Sequence, residues 1–166
     1  KIPAFAKRQN VSCHFPKTLF RKMNNKEYNE ELKNNWRPRW LSSINELTSL
    51  DLQKKSWLDT KVRNPHWSFI EFMCKYFDDL ALDDNYKDPL QRGLLTSQEF
   101  EIIKEWHEEL NNYNSPDNDD SNDDAILKDP AWVKILQIGL IAKSELAKTL
   151  SGFEKEILTE EINHLE

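Results

Sequence analysis

The sequence predicts an all-α fold, and three observations carry that prediction. Glycine occurs only three times in 166 residues, too rarely for a protein built on sheets and tight turns. Apolar residues recur at spacings of three and four through most of the chain, the period of a helix face. Helix starts are marked by Asn64-Pro65, by Asp129-Pro130 and by the capping box Thr96-x-x-Glu99. Together these predict a compact bundle of about six helices, with one long acidic loop and no strand.

Taken in order, Asn24–Asn34 reads as a polar helix that stops before Arg37-Pro38, since proline breaks a helix interior. From Arg39, the positions Trp40, Leu41, Ile44, Leu47 and Leu50 follow helical spacing. Leu50, Leu52, Trp57 and Leu58 then predict a turn and a short helix. The helix Pro65–Leu82 carries a broad stripe of Trp67, Ile70, Met73, Cys74, Phe77 and Leu80, widened by Phe69 and Phe72, so burial on more than one side is expected. The DDNYKDP stretch closes it. Behind Thr96, the residues Phe100, Ile103, Trp106, Leu110 and Tyr113 form the next stripe, which runs into the acidic loop. Behind Asp129-Pro130, Trp132, Ile135, Leu136, Gly139, Leu140, Lys143, Leu146, Ala147 and Leu150 repeat at three and four. Gly139 on that stripe predicts close approach of another helix. Ser151-Gly152 breaks the chain, and Phe153–Leu165 is the last, short helix.

Length and composition fit one domain with an aromatic-rich core. Only 38% of residues are apolar and 31% are charged, but six Trp, eight Phe and four Tyr each bury a large area. No apolar run approaches the roughly 20 residues that span a bilayer. The net charge of −6 conceals an asymmetry. Residues 1–22 hold Lys1, Lys7, Arg8, Lys17, Arg21 and Lys22 and no acid, which leaves 17 basic residues against 29 acidic ones, or −12, over residues 23–166. Residues 1–22 are therefore expected to be a basic extension, non-native or disordered, ahead of a single helical domain at 23–166. That domain is a polyanion, which repels nucleic acid and anionic membranes and attracts basic proteins. Cys13 and Cys74 lie far apart, Cys74 within an apolar stripe, so a buried thiol and a reducing cytoplasm are expected rather than a disulfide framework.

Catalytic chemistry has little foothold. His14, His66, His107 and His164 do not pair at metal-ligand spacing, and HExxH, CxxC and GxSxG are absent. His107 with Glu108 and Glu109 is the best acid–base cluster, but it reads as a partly exposed helix histidine beside solvated carboxylates. Gly93, Gly139 and Gly152 are isolated, so no phosphate-cradling loop is expected. Asp117, Asp119 and Ser121 sit where an EF-hand loop begins, yet Asn122 stands at its glycine position and Lys128 at its bidentate glutamate. The sequence thus predicts no enzyme, no metal and no cofactor.

What remains is charge. From Glu105 to Leu127 there are eight carboxylates and no lysine or arginine: Glu105, Glu108, Glu109, Asp117, Asp119, Asp120, Asp123 and Asp124. Five lie in Asn114–Asp124, which has no apolar side chain and is expected to sit in water. A second cluster, Asp78, Asp79, Asp83 and Asp84, follows the preceding long helix. Both clusters are placed at helix C-terminal ends, where negative charge opposes the dipole, and they are expected to converge on one surface. Tyr113 and Tyr86 are the expected exposed anchors. The bland reading is that such a loop only keeps the protein soluble.

Three segments, HWSFIEFMCKYFDDL (66–80), GLLTSQEFEIIKEWHEELNNY (93–113) and ILKDPAWVKILQIGLIAKSEL (126–146), resemble in their order the small all-helical immunity proteins of bacterial contact-dependent growth inhibition systems. The resemblance covers about residues 39–160 and contains no catalytic motif. It implies a cytoplasmic antitoxin that binds the C-terminal domain of a cognate toxin one-to-one, with no nucleic acid or membrane partner. Many such toxins are nucleases with basic clefts, so the partner expected is an RNase or DNase. The alternative is a helical regulatory or scaffold module that binds a basic peptide or protein.

Overall fold

The structure is a computed structural model that describes residues 25–58 and 67–162, with side chains from residue 29 onward. The basic stretch 1–22 with Cys13 and His14, the Asn64-Pro65 helix start, His66 and His164 lie outside the described residues. Within them are eight α-helices and no strand: α1 Asn25–Leu47, α2 Leu50–Leu58, α3 Phe69–Phe77, α4 Lys87–Gln91, α5 Ser97–Asn112, α6 Asp123–Lys128, α7 Pro130–Thr149 and α8 Gly152–Thr159.

Three boundaries depart from the sequence prediction, each for a physical reason. Pro38 does not stop a helix, and the two predicted N-terminal helices are one continuous α1. The carbonyl that Pro38 cannot bond belongs to the exposed Asn34, where water can serve it. Meanwhile the turn around Pro38 buries Trp36, Arg37 and Trp40. The predicted helix Pro65–Leu82 shortens to α3, because Ser68 accepts from the backbone N–H of Glu71 as N-cap and Ala81 enters the left-handed region at φ 53°. The DDNYKDP stretch is more than a terminator: Asn85 and Tyr86 are both left-handed, at φ 58° and 65°, and α4 follows them.

The last helix, expected over Phe153–Leu165, is α8 and ends at Thr159, whereas the starts of α5 and α7 are as expected. Thr96 and Glu99 form the reciprocal capping box of α5. Asp129 caps α7 by accepting from the backbone N–H of Ala131. Gly139 does admit a neighbour, since a Cβ there would lie 2.6 Å from Trp106 Nε1 and 2.8 Å from Thr48 Cγ2. The antiparallel α5 and α7 form the most extensive helix pair, while α1 packs on α8, α3 and α7.

The core is aromatic, and several of its polar atoms finish helix ends. Trp57, Phe69 and Trp132 pack with ring centroids 5.3–6.1 Å apart. Trp132 Nε1 donates to Gln53, whose own amide donates to the carbonyls of Glu46 and Leu47 at the end of α1. Asn45 likewise donates to the carbonyls of Ile157 and Glu160 at the end of α8, and Trp36 Nε1 to the carbonyl of Leu80. These bonds satisfy carbonyls that helix termini leave without partners. Cys74 is buried, as its stripe predicts. Among the described residues, no helix is long and apolar enough to cross a membrane.

Candidate functional site

The acidic stretch 114–124 is largely folded. Ser115 is buried, and its hydroxyl donates to Asp120 at 2.6 Å. Pro116–Asn118 form a 3-10 turn in which Asp117 and Asn118 are left-handed, at φ 55° and 56°. Such conformations suit Asp and Asn, whose short polar side chains bond locally. Asp119 accepts from both the backbone N–H and the hydroxyl of Ser121 at 3.0 and 2.6 Å, and these bonds hold its carboxyl below the usual range. Asp123 and Asp124 open α6, where the sequence predicts only loop.

Asp123 ties the stretch to the core by accepting from the backbone N–H of Phe69 at 2.9 Å. Its carboxyl is half-buried, which raises its pKa against the pull of that bond. Asp124 pairs with Lys128 at 2.6 Å. The expectation that these aspartates oppose helix dipoles is therefore corrected. Asp123 lies at the N-termini of both α3 and α6, Asp124 in the first turn of α6, and Asp129 at the N-cap of α7, all of which favour negative charge.

Asp123 itself lies apart from the second acidic cluster, whereas His107, between Glu105 and Glu109, packs on Phe77 and Tyr86 on either side of that cluster. Asp123 sits at the start of α3, whereas Asp78 and Asp79 follow its end. The nine helical residues of α3 separate Asp123 from Asp78, roughly 14 Å of axis. Burial raises the carboxyls of Asp78, Asp79 and Asp83, and for Asp79 it outweighs the attraction of Arg39, its partner at 3.1 Å. Asp84 accepts from the backbone N–H of Lys87 as α4 begins.

The tyrosines expected as exposed anchors belong to the core. Tyr113 is buried and donates its hydroxyl to Asp129 at 2.9 Å. Tyr86 is fully buried, where its hydroxyl accepts from Trp40 Nε1 and lies 2.5 Å from the hydroxyl of Tyr76. Tyr76 in turn reaches His107 Nδ1 at 3.2 Å. His107 itself is buried, packed against Tyr76, Phe77 and Tyr86, and burial pushes its pKa down to about 4. It is a core histidine, not the partly exposed one expected. The cluster of His107, Glu108 and Glu109 is not assembled: the ring faces inward, Glu108 is exposed, and Glu109 pairs with Lys134 at 3.3 Å.

Exposed carboxylates without an ion pair among the described residues include Asp51, Asp117 and Glu156, but α5 carries three of them in a row. Glu101, Glu105 and Glu108 occupy successive turns of its exposed face, and none forms an ion pair among the described residues. Glu101 is the residue that counting along the chain misses, because Lys104 interrupts the acidic run there. The helical period finds it: positions 101, 105 and 108 share one face. Lys104 is half-buried at the flank of this stripe and offsets one charge at most. Groups of three or more His, Cys, Asp or Glu side chains placed to hold a metal ion are absent among the described residues. Comparison with protein-family models, with curated proteins and with solved structures finds no match to this chain.

Proposed function

We propose that this chain is a non-catalytic helical immunity protein that binds a basic toxin domain, a nuclease, one-to-one and blocks it. The observation that carries this reading is the distribution of charge: a body of −12 over residues 23–166, three of whose carboxylates, without an ion pair among the described residues, are ranked along one helix face. Glu101, Glu105 and Glu108 repel one another at i,i+4 and i,i+3 spacing, with no ion pair among the described residues and only Lys104 beside them on α5, an arrangement that costs α5 a few tenths of a kcal/mol per pair. A partner rich in lysine and arginine removes that cost, and a long-range negative field speeds its capture. The resemblance of residues 39–160 to immunity proteins points the same way and names the partner class.

The experiment is co-expression and co-purification with the product of the gene adjacent to its own. A stable one-to-one complex that suppresses nuclease activity is the expected result. An adjacent product that neither binds nor shows toxicity contradicts the reading.

A further inference from the structure

We infer that the partner docks on the outer face of α5 and α7, and that the occupant is a basic amphipathic segment whose apolar side chain enters the groove between these helices. The inference rests on the function proposed above and moves the contact away from the 114–124 stretch. A groove of about 610 Å³ runs between α5 and α7, floored by Ile102 and walled by Glu101 and Glu145. Ile141 lies one helical turn before Glu145 on the same flank of α7 and is 67% exposed. On the opposite wall the stripe continues from Glu101 to Glu105 and Glu108. Lys148, the cation at the far end of the groove, is already held by Glu145 at 2.6 Å.

The chemistry of the occupant follows from this arrangement. Ile102, the one apolar residue lining the groove, and the exposed Ile141 beside it call for an apolar side chain, and the carboxylates of Glu101, Glu105 and Glu108, unpaired among the described residues, call for lysine or arginine next to it. Hot spots favour an apolar anchor buried on binding over rim charges. By contrast, Asp119, Asp120, Asp123 and Asp124 are each engaged inside the fold. An ordered segment that spends its carboxylates on its own turns and caps has less to offer a partner.

The test uses the full chain, isotope-labelled at backbone amides and isoleucine methyls. It is titrated with a short amphipathic helical peptide of leucine and lysine, and separately with its leucine–glutamate counterpart. Saturable shifts centred on Ile102 and Ile141 are expected with the basic peptide only. Replacing Glu101, Glu105 and Glu108 together by glutamine, which keeps helix propensity, should weaken that binding about tenfold. Shifts centred on 117–124 or 78–84, equal binding of the acidic peptide, or no saturable shift would overturn the inference. Because no toxin is used, the mapping decides this face independently of the co-purification result.

Discussion

Arg37 is buried between two carboxylates, donating to both oxygens of Glu99 at 2.7 and 3.2 Å and to both of Glu154 at 2.5 and 2.9 Å. Burial alone would lower its pKa, but the two carboxylates outweigh that and raise it; burial likewise works against ionised Glu99, whose bonds to Arg37 and Thr96 hold its carboxyl low. Because Glu99 also closes the capping box, Glu99→Ala removes the more buried of Arg37's two carboxylates and opens the helix start. Urea unfolding should show a loss of about 3–5 kcal/mol, whereas Glu154→Ala, which leaves Glu99 in place, should cost clearly less. His107 gives the second prediction. Its folded pKa of about 4 lies below the ordinary 6.5, so the unfolded chain binds the extra proton first as pH falls. Its contribution is whole above about pH 6.5 and is lost between there and pH 4, up to about 3 kcal/mol. Unfolding free energies from pH 7.5 to 4.5 should fall steeply, and His107→Gln should flatten that slope. At this scale the sequence was least legible. His107 beside Glu108 and Glu109 looks exposed in the linear chain, and only the helical turn separates a core ring from two surface carboxylates.

At the scale of elements, caps and spacing were readable because they are local. Thr96-x-x-Glu99 and Asp129-Pro130 each fix a boundary through bonds within a few residues, Gly152 marks one by its left-handed φ of 54°, and α5 and α7 begin where these signals place them. Pro38 misled because its local penalty is outweighed by tertiary burial of Trp36, Arg37 and Trp40. Pro38→Ala should therefore restore a helix hydrogen bond and raise stability by about 1–3 kcal/mol in chemical denaturation. The short helices α4 and α6 were hidden for another reason. Each follows residues in or near the left-handed region, and neither is long enough to display a period. Gly139 was found by its place on the stripe, though its contact with Trp106 was not foreseeable. With Trp106 Nε1 buried and without a hydrogen-bond partner at that contact, Gly139→Ala must push α5 and α7 apart. A thermal scan should record a loss of about 1–3 kcal/mol despite the better helix propensity of alanine.

For the whole molecule, the all-helical class was legible from glycine scarcity and apolar period, and the polyanionic body from simple counting. The arrangement of that charge was not, because it depends on which acids the fold uses internally. Asp119, Asp120, Asp123, Asp124 and Glu109 acquire partners within the chain, whereas among the described residues Glu101, Glu105 and Glu108 form no ion pair. The acidic run is thus two things: an ordered 114–124 stretch that caps helices, and a carboxylate stripe that faces outward. The most direct test of a basic binding partner is the association rate with the adjacent gene product, measured by stopped-flow fluorescence at low and high salt. The account predicts a rate of about 10⁸ M⁻¹s⁻¹ at low salt, falling steeply as salt rises. It also predicts that neutralising Glu101, Glu105 and Glu108 slows association more than neutralising Asp117, Asp119 and Asp120. A rate insensitive to salt, or equal loss in both variants, would contradict it.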